Sequence, residues 1–256
     1  MKIIVEENYE KMSNRAALLL ASQIHLKENS KLGLATGGTP MGMYNKLIEM
    51  YNEDEVDFSQ VMTFNLDEYC GLSKENPNSY HYYMFDNFFN HINIKKENVN
   101  IPDGMAEDYN KECREYESLI ENAGGIDLQV LGIGANGHIG FNEPAEKLNV
   151  MTNVVNLSKE TIQANSRYFE NEEKVPKQAI SMGMATILKS KRILLLASGK
   201  NKVEAIKATV SGKISTGVPA SLLQTHPEIT LIIDKEAAAL ISEDNISANC
   251  ELEIKY

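Results

Sequence analysis

The sequence predicts an α/β fold: an open, mainly parallel sheet with helices on both faces. Three observations predict it. Strand-like apolar runs alternate with helical patterns from one end of the chain to the other. The run Arg192–Ala197 is continuously apolar after its arginine, as in strands buried on both faces rather than one. Four polar or glycine-rich loops each follow directly on such a run. The class is Rossmann-like, and in such sheets ligands sit outside the carboxyl ends of the strands.

Length and composition agree with one large unit. The chain has 256 residues, 43% of them hydrophobic, enough to bury roughly 70–75% of the surface of the unfolded chain. No Pro/Gly/Ser-rich linker, internal repeat or low-complexity tract breaks the order, so a single domain over residues 1–256 is expected.

In chain order, the first strand is expected from Lys2, and helices over residues 9–27, 41–51, 79–91, 106–123, 176–189 and 202–210. Between the first two helices, a short strand over 32–35 runs into Gly37, Gly38, Thr39 and Pro40. Thr39 suits an N-cap and Pro40 the first helical position, where a missing N–H costs nothing. The N–H groups of Gly37, Gly38 and Thr39 would then face outward as a nest for phosphate. The loop is neither a P-loop nor a dinucleotide fingerprint, and alone it would be an ordinary turn.

A strand over 61–66 is followed by a loop that begins with Asp67, Glu68 and Tyr69. Adjacent carboxylates there could cap the next helix or do acid–base work. The apolar run 126–131 leads into Gly132-Ile133-Gly134-Ala135-Asn136-Gly137-His138-Ile139-Gly140-Phe141-Asn142-Glu143-Pro144. Its glycines let a backbone turn sharply and approach a ligand, while His138 and Glu143 are side chains readily tuned for proton transfer. After Arg192–Ala197 come Ser198-Gly199-Lys200-Asn201-Lys202 and a helical pattern, where a lysine could meet a phosphate. All four loops leave strands at one end, so they are expected to converge on one crevice.

With 25 basic against 36 acidic residues the formal charge is −11, and no Lys/Arg cluster offers a footprint for nucleic acid or an anionic membrane. No run approaches the ~18 apolar residues of a membrane span, and the amino terminus lacks the apolar stretch of a signal peptide, so a cytoplasmic protein is expected. Cys70, Cys113 and Cys250 are odd in number and lack Cys-x-x-Cys spacing, as for reduced thiols. His25, His81, His91 and His226 have no ligand-like spacing, and no metal site is expected.

The stretches 34–40, 64–69, 134–144 and Asn165-Ser166-Arg167-Tyr168-Phe169 together resemble the glucosamine-6-phosphate deaminases, also called isomerases, over nearly the whole chain. The run Gly-His-Ile-Gly-Phe-Asn-Glu-Pro at 137–144 is the specific part; related 6-phosphogluconolactonases have a glycine–histidine loop without Phe-Asn-Glu-Pro. The resemblance implies conversion of D-glucosamine 6-phosphate and water to D-fructose 6-phosphate and ammonia, with no metal or organic cofactor. It implies that His138 opens the sugar ring, that Glu143 supports it, and that Asp67 moves the C2 proton to C1. Gly38, Thr39, Arg167 and Lys202 match the phosphate ligands, with Gly37 beside them, and 157–174 resembles a lid.

Two departures stand out. Asn136 stands where many members have aspartate, and is expected to orient the imidazole by hydrogen bonding without sharing its proton. The segment 146–155 lacks the basic residues with which allosteric members bind a second sugar phosphate. A homo-oligomer is left open, as is the epimer preferred. A galactosamine 6-phosphate or lactone substrate and a sugar-phosphate sensor are the rival readings; a sensor would leave Asp67, His138 and Glu143 without purpose.

Overall fold

The computed structural model describes residues 1–166, 169, 171 and 174–255. Its centre is an eight-stranded sheet, all parallel, built from β1 (Lys2–Glu6), β2 (Lys31–Leu34), β3 (Met62–Asn65), β5 (Val99–Asn100), β6 (Leu128–Gly132), β9 (Arg192–Ala197), β10 (Ile229–Asp234) and β11 (Glu251–Lys255). The strand order is β11-β1-β10-β9-β6-β2-β3-β5. A three-stranded antiparallel sheet of β4 (Asp67–Tyr69), β8 (Gln178–Ser181) and β7 (Asn153–Asn156), in the order β4-β8-β7, was not expected.

Both faces of the large sheet are covered at its centre, which is why β9 reads as an unbroken apolar run after its arginine. In β9, Ile193 and Leu195 enter one core while Leu194 and Leu196 enter the other. One core is closed by α1 (Tyr9–Leu26), α2 (Gly38–Asn52) and α3 (Tyr80–Asn87), through residues such as Leu20, Leu47 and Met84. The opposite core takes Ile120 of α4 (Tyr109–Asn122), Ile187 of α6 (Met184–Leu188) and Ile206 of α7 (Val203–Thr209).

Several elements differ from expectation. The helix expected over 176–189 is instead β8 followed by the five-residue α6. Only tertiary pairing makes β8 a strand: Ala179 and Ile180 find partners in both β4 and β7. The loop expected at Asp67 is strand β4 for the same reason. Helix α2 begins before Thr39, with Gly37 as its N-cap at φ 103°, so Thr39 and Pro40 are its second and third residues. A proline is tolerated there because the first four N–H groups of a helix have no partner within it.

The order of the strands places the crevice. From β2 the chain runs outward to β3 and β5, then returns to β6 on the other side of β2 and continues to β9 and β10. The direction of winding reverses between β2 and β6. That switch point is where open sheets of this class hold ligands, beyond the strands' carboxyl ends.

Candidate active site

On the β2 side of the switch point lies the turn 35–37 and the start of α2. The φ of 103° at Gly37 belongs to a region that residues with a side chain rarely enter. A Cβ at Gly37 or Gly38 would meet nothing within 4 Å, so the space before these backbone groups is open. The turn is pinned from behind. Tyr83 donates its hydroxyl to the Gly37 carbonyl at 2.7 Å, and Tyr9 donates to the Gly38 carbonyl at 2.9 Å while accepting from the Gly42 N–H at 2.8 Å. The result is a fixed helix N-terminus, and the first N–H groups of α2 have no partner within the helix.

On the β6 side stands the glycine-rich loop. It closes on itself through Gly134 N–H to the His138 carbonyl at 2.9 Å and Gly137 N–H to the Gly134 carbonyl at 3.0 Å. A Cβ on Gly134 would sit 2.3 to 2.6 Å from three atoms of the His138 ring, so the imidazole lies directly over that backbone. The far end of the loop is tied to β8 and its sequel: Phe141 N–H donates to Ser181 Oγ at 3.1 Å, and Asn142 Nδ2 to the Met182 carbonyl at 2.9 Å.

His138 Nδ1 lies 3.2 Å from Glu143 Oε2, as a close pair rather than an aligned hydrogen bond. Asn136 does not orient the ring directly, contrary to expectation. Its Nδ2 donates to Glu143 Oε2 at 2.8 Å, while its Oδ1 accepts the His138 backbone N–H at 3.2 Å. The other carboxylate oxygen of Glu143, Oε1, accepts the hydroxyl of Thr161. Burial alone would raise the pKa of Glu143. The His138 contact, its charge, and the Thr161 and Asn136 donors outweigh that and hold it at about 2.

The two neighbouring carboxylates of β4 have parted roles. Glu68 accepts from Tyr69, Tyr80 and His81 N–H groups at 2.8, 2.9 and 2.8 Å, capping α3; burial still leaves its pKa raised. Asp67 points elsewhere. It is 6% exposed, and burial, aided by the charge of Glu68, pushes its pKa up to about 8. Its Oδ2 is 3.8 Å from where a Cβ on Gly140 would stand, beside the Ser181 hydroxyl. The carboxylate thus rests against the loop that holds His138.

After β9, a 3-10 turn over Lys200–Lys202 brings Lys202 to the same end of the sheet. Asp234, at the end of β10, holds this turn by accepting the Ser198 hydroxyl and, at 3.1 Å, the Gly199 N–H. What relates Lys202 and the Gly37–Thr39 turn to His138 is the sheet, since β9 and β2 are the strands flanking β6. Arg167 lies outside the described residues. Of the expected lid, helix α5 (Lys159–Asn165) is described, with Ser158 as N-cap.

Thr161, Ser181 and Asn142 also support the site, although the sequence marks none of them as a site residue. Thr161 carried one usable signal, the Ser158-x-x-Thr161 start of a helix, but its bond to Glu143 spans 18 residues. For Ser181 and Asn142, nothing short of the tertiary pairing of β4 with β8 would have shown the role.

Comparison with known proteins bears on this site. Residues 5–232 match the family model of glucosamine-6-phosphate isomerases/6-phosphogluconolactonase. A glucosamine-6-phosphate deaminase of Halothermothrix orenii is 66% identical over 241 residues, covering 94% of this chain and 100% of that protein. One of Thermoanaerobacter pseudethanolicus is 61% identical over 246 residues, covering 96% and 97%. Among solved structures, a monomeric glucosamine-6-phosphate deaminase superposes with a TM-score of 0.92 at 50% identity, covering 94% of this chain and 100% of that one. A 6-phosphogluconolactonase of Thermotoga maritima reaches 0.73 at 20% identity, covering 92% and 100%, and shares the fold.

Proposed function

This chain belongs to the family of glucosamine-6-phosphate isomerases and 6-phosphogluconolactonases, and we infer from its likeness to the deaminase members that it converts D-glucosamine 6-phosphate and water to D-fructose 6-phosphate and ammonia. One observation carries the assignment of roles: the buried Asp67 carboxylate rests on Gly140, in the same loop whose His138 is paired with Glu143.

The sugar phosphate is held by the Gly37, Gly38 and Thr39 backbone, with Lys202 and Arg167 supplying charge; the planar fork of an arginine suits a phosphate. His138 takes the proton of the anomeric hydroxyl and returns one to the ring oxygen, opening the ring to the aldehyde. Glu143 stays ionised beside it and steadies the positive charge on the imidazole as the proton passes. Asp67 then removes the proton from C2, leaving an enolamine, and delivers a proton to C1. Water adds to the resulting iminium carbon at C2, and ammonia departs. A base held at contact distance supplies much of the rate advantage.

The chain works as a single sugar-phosphate domain in the cytoplasm, without nucleic-acid or membrane partners; among the described residues no helix is long and apolar enough to cross a membrane. The segment 146–155 has a single cation, Lys147, so a second phosphate finds no cluster there and saturation is hyperbolic.

An assay of purified protein with glucosamine 6-phosphate, galactosamine 6-phosphate and 6-phosphogluconolactone tests the function. Stoichiometric fructose 6-phosphate and ammonia from the first is expected. Turnover of the lactone alone would overturn the reading.

A further inference from the structure

Each oxygen of Glu143 is committed to separate partners. Oε2 faces His138 Nδ1 at 3.2 Å and accepts Asn136 Nδ2 at 2.8 Å, both within the glycine-rich loop. Oε1 accepts from a residue outside that loop, Thr161 in the first turn of α5. The proton arrangement around Thr161 follows from its neighbours. Ser158 Oγ donates to Thr161 Oγ1 at 3.2 Å and accepts the Thr161 N–H at 3.1 Å. An ionised carboxylate can only accept, so the Thr161 hydroxyl proton points at Glu143.

The platform under this hydroxyl is well anchored. Ile162, the next residue of α5, packs with a small apolar cluster of Tyr69, Phe141, Leu157 and Ala179, which joins β4, the His138 loop and β8. The Leu157 N–H donates to the Lys177 carbonyl at 2.9 Å. Thr161 is itself buried, at 8% exposure. A hydroxyl fixed from both sides can therefore dictate which way a carboxylate turns.

We propose that Thr161 is a positioning residue for ring opening: its hydroxyl holds Glu143 so that Oε2 faces His138. The inference rests on the assignment of ring opening to His138. Without the hydroxyl, Oε1 is a desolvated, charged acceptor with no donor, and the carboxylate turns to find one. The imidazole then loses its partner while the phosphate contacts and Asp67 stay in place.

Thr161→Val keeps the shape and removes the hydroxyl; Thr161→Ser keeps the hydroxyl. Each is assayed for kcat and KM with glucosamine 6-phosphate, and for inhibition by 2-amino-2-deoxy-D-glucitol 6-phosphate, a reduced open-chain analogue with no ring to open. The expected result is a kcat lower by about ten- to a hundredfold in Thr161→Val, inhibition unchanged within about twofold, and most of the rate restored in Thr161→Ser. A Thr161→Val enzyme with wild-type kcat overturns the proposal. So does a Thr161→Ser enzyme as slow as the valine variant, or inhibition that weakens in step with kcat, since either means that the site has merely loosened. Should Thr161→Val not fold, Thr161→Ala is held to the same criteria. Wild-type protein that binds the analogue yet releases no ammonia would refute the assigned function itself, and the proposal with it.

Discussion

Two carboxylates adjacent in sequence, Asp67 and Glu68, meet opposite fates because a strand turns successive side chains to opposite faces. Glu68 is satisfied by three backbone N–H groups, whereas burial pushes Asp67 up to about 8. An unfolded aspartate titrates near about 4. Between those values the folded protein holds a proton that the unfolded chain has released, so Asp67 makes stability fall as pH rises from about 4 to about 8. Asp67→Asn should abolish turnover and yet melt higher than wild type above pH 8, with the gap closing toward pH 4; a gap of constant size would contradict the burial argument. The wild-type kcat/KM should rise with pH through about 8 and level off above it, as the free base ionises. Asn136 yields a second test. An aspartate there would set a carboxylate 2.8 Å from Glu143 Oε2, and like charges so close favour taking up a proton. Asn136→Asp should therefore be less stable than wild type at pH 8 and recover toward pH 5, and melting curves across that range decide it.

Among the elements, what was legible followed local chemistry, and what was not depended on distant partners. Residues 192–197 announced a doubly buried strand because Ile193, Leu194, Leu195 and Leu196 leave no polar face. His138, Glu143 and the glycines between them stood out because they join sharp-turning residues to two side chains suited to proton transfer. The antiparallel sheet was invisible: Asp67–Tyr69 is only three residues long, and its register with β8 joins positions more than a hundred residues apart. Asn136, expected to orient the imidazole, bonds the His138 backbone and the Glu143 carboxylate rather than the ring. The glycine-rich loop itself makes a sharp prediction. Since a Cβ on Gly134 would come within 2.3 Å of the His138 ring, Gly134→Ala must displace the imidazole. A displacement of about 1 Å costs on the order of a hundredfold in rate. Steady-state kcat should drop by that order while the far-UV spectrum is unchanged; undiminished turnover would show that the ring's seat over Gly134 is dispensable.

At the scale of the whole molecule, strand order puts the loops that follow β2, β3, β6 and β9 at the carboxyl end of one parallel sheet, around the reversal of winding between β2 and β6. β2 leads into the glycine turn at 37–38, β6 into the histidine loop and β9 into the lysine turn, while β3 leads directly into Asp67. The small sheet ties two of these loops together, since Ser181 of β8 accepts from Phe141 in the histidine loop and pairs with Asp67 in β4. We propose that the chemistry is divided between a ring-opening imidazole, His138, and a proton-shuttling carboxylate, Asp67. The most direct test follows the carbon-bound proton. Wild-type protein and Asp67→Asn are incubated with glucosamine 6-phosphate in deuterium oxide, and deuterium is measured at C1 of the product and at C2 of recovered substrate. Wild type should yield fructose 6-phosphate, with deuterium at C1 to the extent that the proton held by Asp67 exchanges with solvent, whereas the variant should give neither product nor label at C2. Deuterium entering C2 at an undiminished rate in Asp67→Asn would show that another group is the base.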